Sequence, residues 1–276
     1  MKKKLRAFAK NRNLLVGTIM VAIVVITALL AGFIAPYPYN EPHLADKMRP
    51  PCAAYPFGTD DFGRDMLSRV IYGAQPALRV ALLAMLIEMG IGITLGLLAG
   101  YYGGIVDHLV TFVGDLTWCV PPIVLTMAVI TMIGKGLDNV IIATALVSWA
   151  QYTRIVRSKT QGLRNMAFVE TAIAFNERDS AIMVRYILPN VLPSIIVLAS
   201  LSIPQTIMST TALSFLGLGA QPPSPDWGLA LSASFRFITT APWLAVFPGC
   251  ALVFTVFAFN LFGEGLRDLL DPRLKV

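Results

Sequence analysis

Two carboxylates stand where a membrane-crossing segment ordinarily carries none. Glu88 lies within "ALLAMLIEMGIGITLGLLAG" (81–100), with uncharged residues on both sides, and Asp115 lies within "TFVGDLTWCV" (111–120). An unpaired carboxylate in such a setting costs several kcal/mol, so these residues usually face a cavity or a partner. Glu88 has three readings: a pathway-facing group for a cationic substrate, an intersubunit hydrogen bond, or a protonated, packed side chain. Asp115 reads as a buried hydrogen-bond partner near the inner end of its span. Other reactive groups are scarce. There are two histidines, His43 and His108, and three cysteines with no C-x-x-C pair, which give neither a metal centre nor a disulfide framework. Cys119 and Cys250 read as small packing residues. The phosphate-binding pattern G-x-x-x-x-G-K-[ST] does not occur, so any ATP used with this protein is bound by another chain.

A second charged feature is "FVETAIAFNERDSAIMVRYILPNVLP" (168–193). Phe168 to Phe175 has good helix formers with apolar residues at 168, 169, 172, 173 and 175, which makes an amphipathic helix. Asn176 follows where helices commonly end in a left-handed residue, a conformation Asn tolerates better than most. Glu177, Arg178 and Asp179 keep the turn in water. A second amphipathic stretch, 180–188, leads to Pro189. On its residues alone this is a solvated connector, although helix, turn, helix and Leu-Pro is more order than a connector requires.

The elements around these residues are apolar. Of 276 residues 56% are hydrophobic and 14% charged, against about 25% charged in a soluble domain. The apolar blocks are long enough to cross a bilayer at roughly 20 residues each. Six spans are expected, at about 14–36, 77–101, 109–133, 137–155, 187–213 and 242–264, as one all-α bundle. The first is too long for a signal-peptide core and is read as retained. Lys2, Lys3, Lys4, Arg6, Lys10 and Arg12 precede it; Arg154, Arg157, Lys159, Arg164, Arg178 and Arg185 lie between the fourth and fifth spans; Arg267, Arg273 and Lys275 end the chain. Positive residues mark the cytoplasmic side, so both termini and the 156–186 segment are expected inside. The net charge of +6 is therefore a topology signal and gives no reason to invoke nucleic acid.

The order Glu170-Thr171-Ala172, Asn176, Leu188-Pro189 resembles the cytoplasmic EAA loop of ABC importer permeases, with matching spacing. Thr171 stands for an Ala, Asn176 for a Gly and Tyr186 for an Ile. "FGTDDFGRDMLSRVIYGA" (57–74), "GLLAGYYGGIVD" (96–107), "SFLGLGAQPPSPDWG" (214–228), "APWLAVFPG" (241–249) and "AFNLFGEGLRDLLDPRLK" (258–275) resemble the second, C-type permease of the peptide and nickel branch. The resemblance implies a six-helix permease bundle in the inner membrane, with residues 1–76 as tail, first helix and outer segment and 77–276 as the core. The loop at about 166–190 would be a coupling helix, its contacts made by Phe168, Glu170, Thr171, Ala172, Asn176, Glu177, Arg178, Leu188 and Pro189. Ala172 is expected on the docking side with Phe168. The implied partners are a second homologous permease, two ATPase subunits holding ATP and Mg, and an extracytoplasmic binding protein. The chain itself would catalyse no covalent chemistry. Peptides are the expected cargo, with nickel chelates, glutathione and opines as alternatives.

Gly92, Gly96 and Gly100, at four-residue spacing, are expected to let two helices approach closely. Pro121 and Pro122 read as a kink, and Trp118, Trp149 and Tyr152 as interface anchors. Asp60, Arg64 and Asp65 are expected to pair locally in an ordered outer cap. An ion-coupled secondary transporter is the alternative of another class; it would explain Glu88 but leaves the 168–190 segment without a role.

Overall fold

A computed structural model describes residues 11–270, which fold as helices with no strand among the described residues. Lys2, Lys3, Lys4, Arg6, Lys10, Arg273 and Lys275 lie outside them. The helices of eight residues or more are α1 (Arg12–Leu29), α2 (Met66–Tyr102), α3 (Gly104–Trp118), α4 (Pro122–Ile133), α5 (Leu137–Arg164), α6 (Ala167–Ala174), α7 (Asp179–Phe215), α8 (Trp227–Ser234) and α9 (Trp243–Leu270).

Helices α1, α2, α7 and α9 are each long and apolar enough to cross a bilayer. The expected third span is different. Consecutive prolines push Val120 and Pro121 out of helical geometry, and Pro122 restarts the chain at the first turn of α4, where its missing N–H costs nothing. The result is a 92° turn between α3 and α4, which qualify as a span only as a bent pair. The prolines were legible as a kink; the right angle was not.

The expected fourth span, 137–155, is the N-terminal part of α5, which runs on to Arg164 and falls short of the apolarity of a span. Its polar residues are accommodated because protein covers it. Val140, Ala143, Val147, Trp149, Tyr152 and Val156 are all buried, and the contact with α2 is the most extensive among the described helices. Trp149 and Tyr152, expected as interface anchors, are thus core residues, and the Tyr152 hydroxyl shares a hydrogen bond with Ser202 Oγ at 2.7 Å. Only Trp118 of the three is exposed.

Glycines make the α2–α5 approach possible. A Cβ at Gly92 would collide with Cβ of Tyr152, one at Gly96 would sit 2.7 Å from Cβ of Val156, and one at Gly100 2.6 Å from Cβ of Thr160. The stripe is helix-packing surface, as its spacing implied. Helix α2 begins at Met66 and runs unbroken through Pro76, so no structural boundary falls at residues 76 and 77. Helix α1 lies against α9 and α2, which places it in the same bundle as the core.

One end of the bundle is capped by chain from either side of α2 and α8. Asp60 Oδ1 accepts from the backbone N–H groups of Phe62 and Arg64, and its Oδ2 takes Arg64 Nε at 2.7 Å. Asp65 does not pair with Arg64; it caps α2 by accepting from Ser68 N at 2.7 Å. Buried Arg69 donates to the carbonyls of Tyr39 and Ser224, each at 3.1 Å. Trp227 Nε1 donates to Val70 O and Trp243 Nε1 to Thr59 O. Burial pushes the Asp226 carboxyl above the usual carboxylate range, while the Leu229 N–H that it accepts pulls the other way.

Candidate functional site

Two groups of residues carry the functional reading, one at the end of the bundle opposite this cap and one within the bundle. The first is α6 and its turn. The helix closes with a Schellman motif: Asn176 N donates to Ile173 O at 2.9 Å and Glu177 N to Ala172 O at 3.1 Å. This pairing requires a left-handed residue between the last helical residue and the exit, and Asn176 supplies it at φ +56°. The side chains of the turn are also held. Glu177 Oε1 accepts from Tyr186 Oη at 3.2 Å, and Asp179 Oδ1 accepts from Tyr101 Oη at 2.8 Å. These two tyrosines tie the turn to α7 and α2, and sequence reasoning missed both. The Tyr that replaces Ile at position 186 was the available signal, since a phenol there needs an acceptor.

Ala172 requires a correction. It is 5% exposed and faces inward with Val169, in the buried apolar cluster that also holds Tyr101, Ile182 and Ile187. Phe168, Glu170, Thr171, Ile173 and Phe175 form the outward side, with Phe175 80% exposed. Both sides of α6 carry apolar residues, so residue types alone did not say which one turned in. Thr171 Oγ1 bonds back to Ala167 O at 2.7 Å, and Arg178 is exposed. The chain then enters α7 through a π-helical stretch, Ile182–Ile187, whose wider turn ends just before Leu188 and Pro189. Proline lacks the N–H that a regular turn would use there, and Asn190 Nδ2 covers Tyr186 O at 2.7 Å.

The second group surrounds Glu88. It is 2% exposed, and its Oε1 has no hydrogen-bond partner among the described residues. It lines a cavity of about 290 Å³ together with Thr144, Ser148 and Gln151 of α5 and Gln205, Thr206 and Ser209 of α7. Spacings of three and four put Thr144, Ser148 and Gln151 on one face of α5, and Ser202, Gln205 and Ser209 on one face of α7. That polar periodicity was present in the sequence, hidden within segments read only for their apolarity.

Asp115 belongs to neither group as expected. Its side chain is 57% exposed and pairs with Arg154 Nη2 at 2.9 Å, while Arg154 lies over the Trp118 ring at 4.8 Å. Helix α3 lies on the flank of α5 with only Gly114 buried, so its acids meet the basic half of α5: Asp107 likewise takes Arg157. Cys119 and Cys250, expected to be packed, are exposed on this chain.

Residues 92–276 match the family described as binding-protein-dependent transport system inner membrane component, and residues 1–51 match the N-terminal TM domain of oligopeptide transport permease C. The chain is 41% identical over 266 residues to the dipeptide transport system permease protein DppC of Alkalihalophilus pseudofirmus, covering 96% of this chain and 88% of the relative. It is 38% identical over 271 residues to the glutathione transport system permease protein GsiD of Pectobacterium atrosepticum (98% and 90% covered). It is 41% identical over 271 residues to GsiD of Escherichia coli O157:H7 (98% and 89% covered). A multi-pass helical chain that matches this family over most of its length, beside relatives of the same kind, belongs to the binding-protein-dependent inner membrane components: it is a C-type permease subunit of an ABC importer of the peptide family.

Proposed function

We propose that this chain forms half of a translocation pathway for di- and oligopeptides, with α6 as the helix that couples it to ATP-binding subunits. The observation that carries the reading is an amphipathic helix at one end of the bundle, closed by a Schellman turn, with Phe168, Ile173 and Phe175 left outward. Exposed aromatic and aliphatic side chains on a helix of this kind form a contact for a partner groove. Glu177, Arg178, Leu188 and Pro189 set the exit angle of the turn. Val169 and Ala172 seat the helix on its own bundle, so a push on α6 is delivered to α2, α5 and α7. The arrangement works as a rigid-body switch between two packings of the bundle.

In this reading α5 and the bent α3–α4 pair complete six membrane crossings, and both termini lie on the α6 side, in the cytoplasm. Ile105, Leu109, Phe112 and Leu116 of α3 are exposed on this chain and face lipid or the second permease. Two ATPase subunits hold ATP and Mg, and a binding protein delivers peptide to the capped end. Relatives named for dipeptide and glutathione transport favour peptides over metal chelates. Glu88 lies on the pathway, and Asp115 serves the α3–α5 contact.

The test is reconstitution of the chain with its second permease, ATPases and binding protein in proteoliposomes. Uptake of labelled dipeptide that needs ATP and stops with vanadate is expected. Uptake that runs without the ATPases, or on an ion gradient, would refute the reading.

A further inference from the structure

The cavity beside Glu88 has a one-sided chemistry. Its lining contains one ionisable residue, Glu88, and no Lys, Arg or His. Among the described residues the buried carboxylate has no partner at Oε1, and buried Thr144 Oγ1 has none either. A buried acceptor left open costs free energy comparable to a lost hydrogen bond, and more when it is charged. The two glutamines, Gln151 and Gln205, bring amide groups to the same space from α5 and α7. A volume of about 290 Å³ is at the foot of the range of about 300–1,000 Å³ for small-molecule sites, so it suits one end of a peptide.

We propose that this cavity is a binding subsite for the free ammonium end of a peptide, with Glu88 as counter-ion; the identity of the ligand rests on the peptide reading above. An ammonium offers three donors and no acceptor, and an ionised carboxylate only accepts. Glu88 takes the charge, and the Thr144 hydroxyl and a glutamine carbonyl take the remaining donors. The glutamine amides pair with the first peptide group. Such recognition ignores the peptide's side chains, which suits a pathway for many sequences. The lining holds no cation to balance a carboxylate, so the carboxyl end lies outside this cavity. A single counter-ion also keeps binding weak enough for the cargo to leave, as conduction requires.

The charge of the site can be read without any cargo. In the assembled transporter with Cys52, Cys119 and Cys250 replaced by serine, Ser209→Cys is labelled in detergent with methanethiosulfonate reagents of similar size, one cationic and one anionic. Relative to a free thiol, the cationic reagent should be favoured about tenfold, equivalent to about 1.4 kcal/mol. Glu88→Gln should bring the ratio close to one, and Glu88→Asp should retain the preference. Equal rates with Glu88 in place would overturn the subsite. In uptake, a C-amidated dipeptide should be carried and an N-acetylated one poorly, with the gap narrowed in Glu88→Gln. Intact peptide uptake with no charge preference refutes the subsite alone. A charge preference without uptake of any peptide refutes the peptide ligand and the function proposed above.

Discussion

Tyr101 Oη, at the end of α2, donates to Asp179 Oδ1, at the start of α7, across 2.8 Å. The bond joins the ends of two long helices beside the turn that follows α6. A hydrogen bond to a charged acceptor contributes about 1.5–3 kcal/mol, enough to bias a two-packing switch. Tyr101→Phe keeps the ring and removes the donor. The assembled complex should hydrolyse ATP at close to the parent rate while peptide uptake per ATP falls several-fold. Phosphate release and uptake measured in the same proteoliposomes check this, and an unchanged ratio would remove the bond from the coupling route.

The conformation of Asn176 makes a sharp distinction between substitutions. At φ +56° an ordinary side chain costs about 1–2 kcal/mol and a β-branched one is worst. Asn176→Gly should be as stable as the parent or more so. Asn176→Val should lower the thermal unfolding midpoint of the purified complex and loosen α6. If Val and Gly unfold alike, the Schellman turn is not stabilising this end of the bundle.

Docking and seating are separable on α6. Phe175→Asp places a charge on an outward position and leaves the chain's own packing alone, so the subunit should fold, pair with its sister permease and lose ATPase co-purification. Ala172→Arg forces a long charged side chain into the buried cluster that holds Val169, Ile182 and Ile187, and it should reduce folded protein before any question of docking arises. Yield by size-exclusion chromatography and ATPase pull-down together distinguish the two. A Phe175→Asp subunit that retains its ATPases would show that α6 is a tether.

These contrasts also mark what was legible in the residues. Asn176 announced its conformation because few side chains enter the left-handed region, and Glu88 announced itself because a carboxylate in an apolar run has so few explanations. The inward side of α6 was hidden, because Val169 and Ala172 are no more apolar than Phe168 and Ile173. Asp115 looked buried only while α3 was taken for half of a straight span. The lining of the cavity was missed because Ser148, Gln151 and Gln205 gain their meaning from the facing helix, which a single segment does not contain.

Two glycines on one helix give a matched pair for the packing claim. Gly96 abuts Val156, whereas a Cβ at Gly90 would meet nothing within 4 Å. Gly96→Val should cost about 1–3 kcal/mol or more through overpacking and reduce monodisperse protein in detergent. Gly90→Ala should be neutral or stabilising by about 0.5–1 kcal/mol, since Ala is the better helix former. Similar losses in both would mean that α2 and α5 do not meet backbone to backbone.

That contact has a mechanical consequence. From Gly92 to Gly100 the bare backbone of α2 rests directly on Tyr152, Val156 and Thr160 of α5, with no α2 side chain at those points to give way, so α2 and α5 bend and turn as one beam. Under the coupling role proposed for α6, Tyr101 is at the loaded end of this beam. Glu88, about 20 Å away at 1.5 Å per residue, receives a displacement applied there as rotation of the whole beam. The compliance that lets the transporter change shape therefore resides outside this pair, along the seams that α7 and α9 make with it.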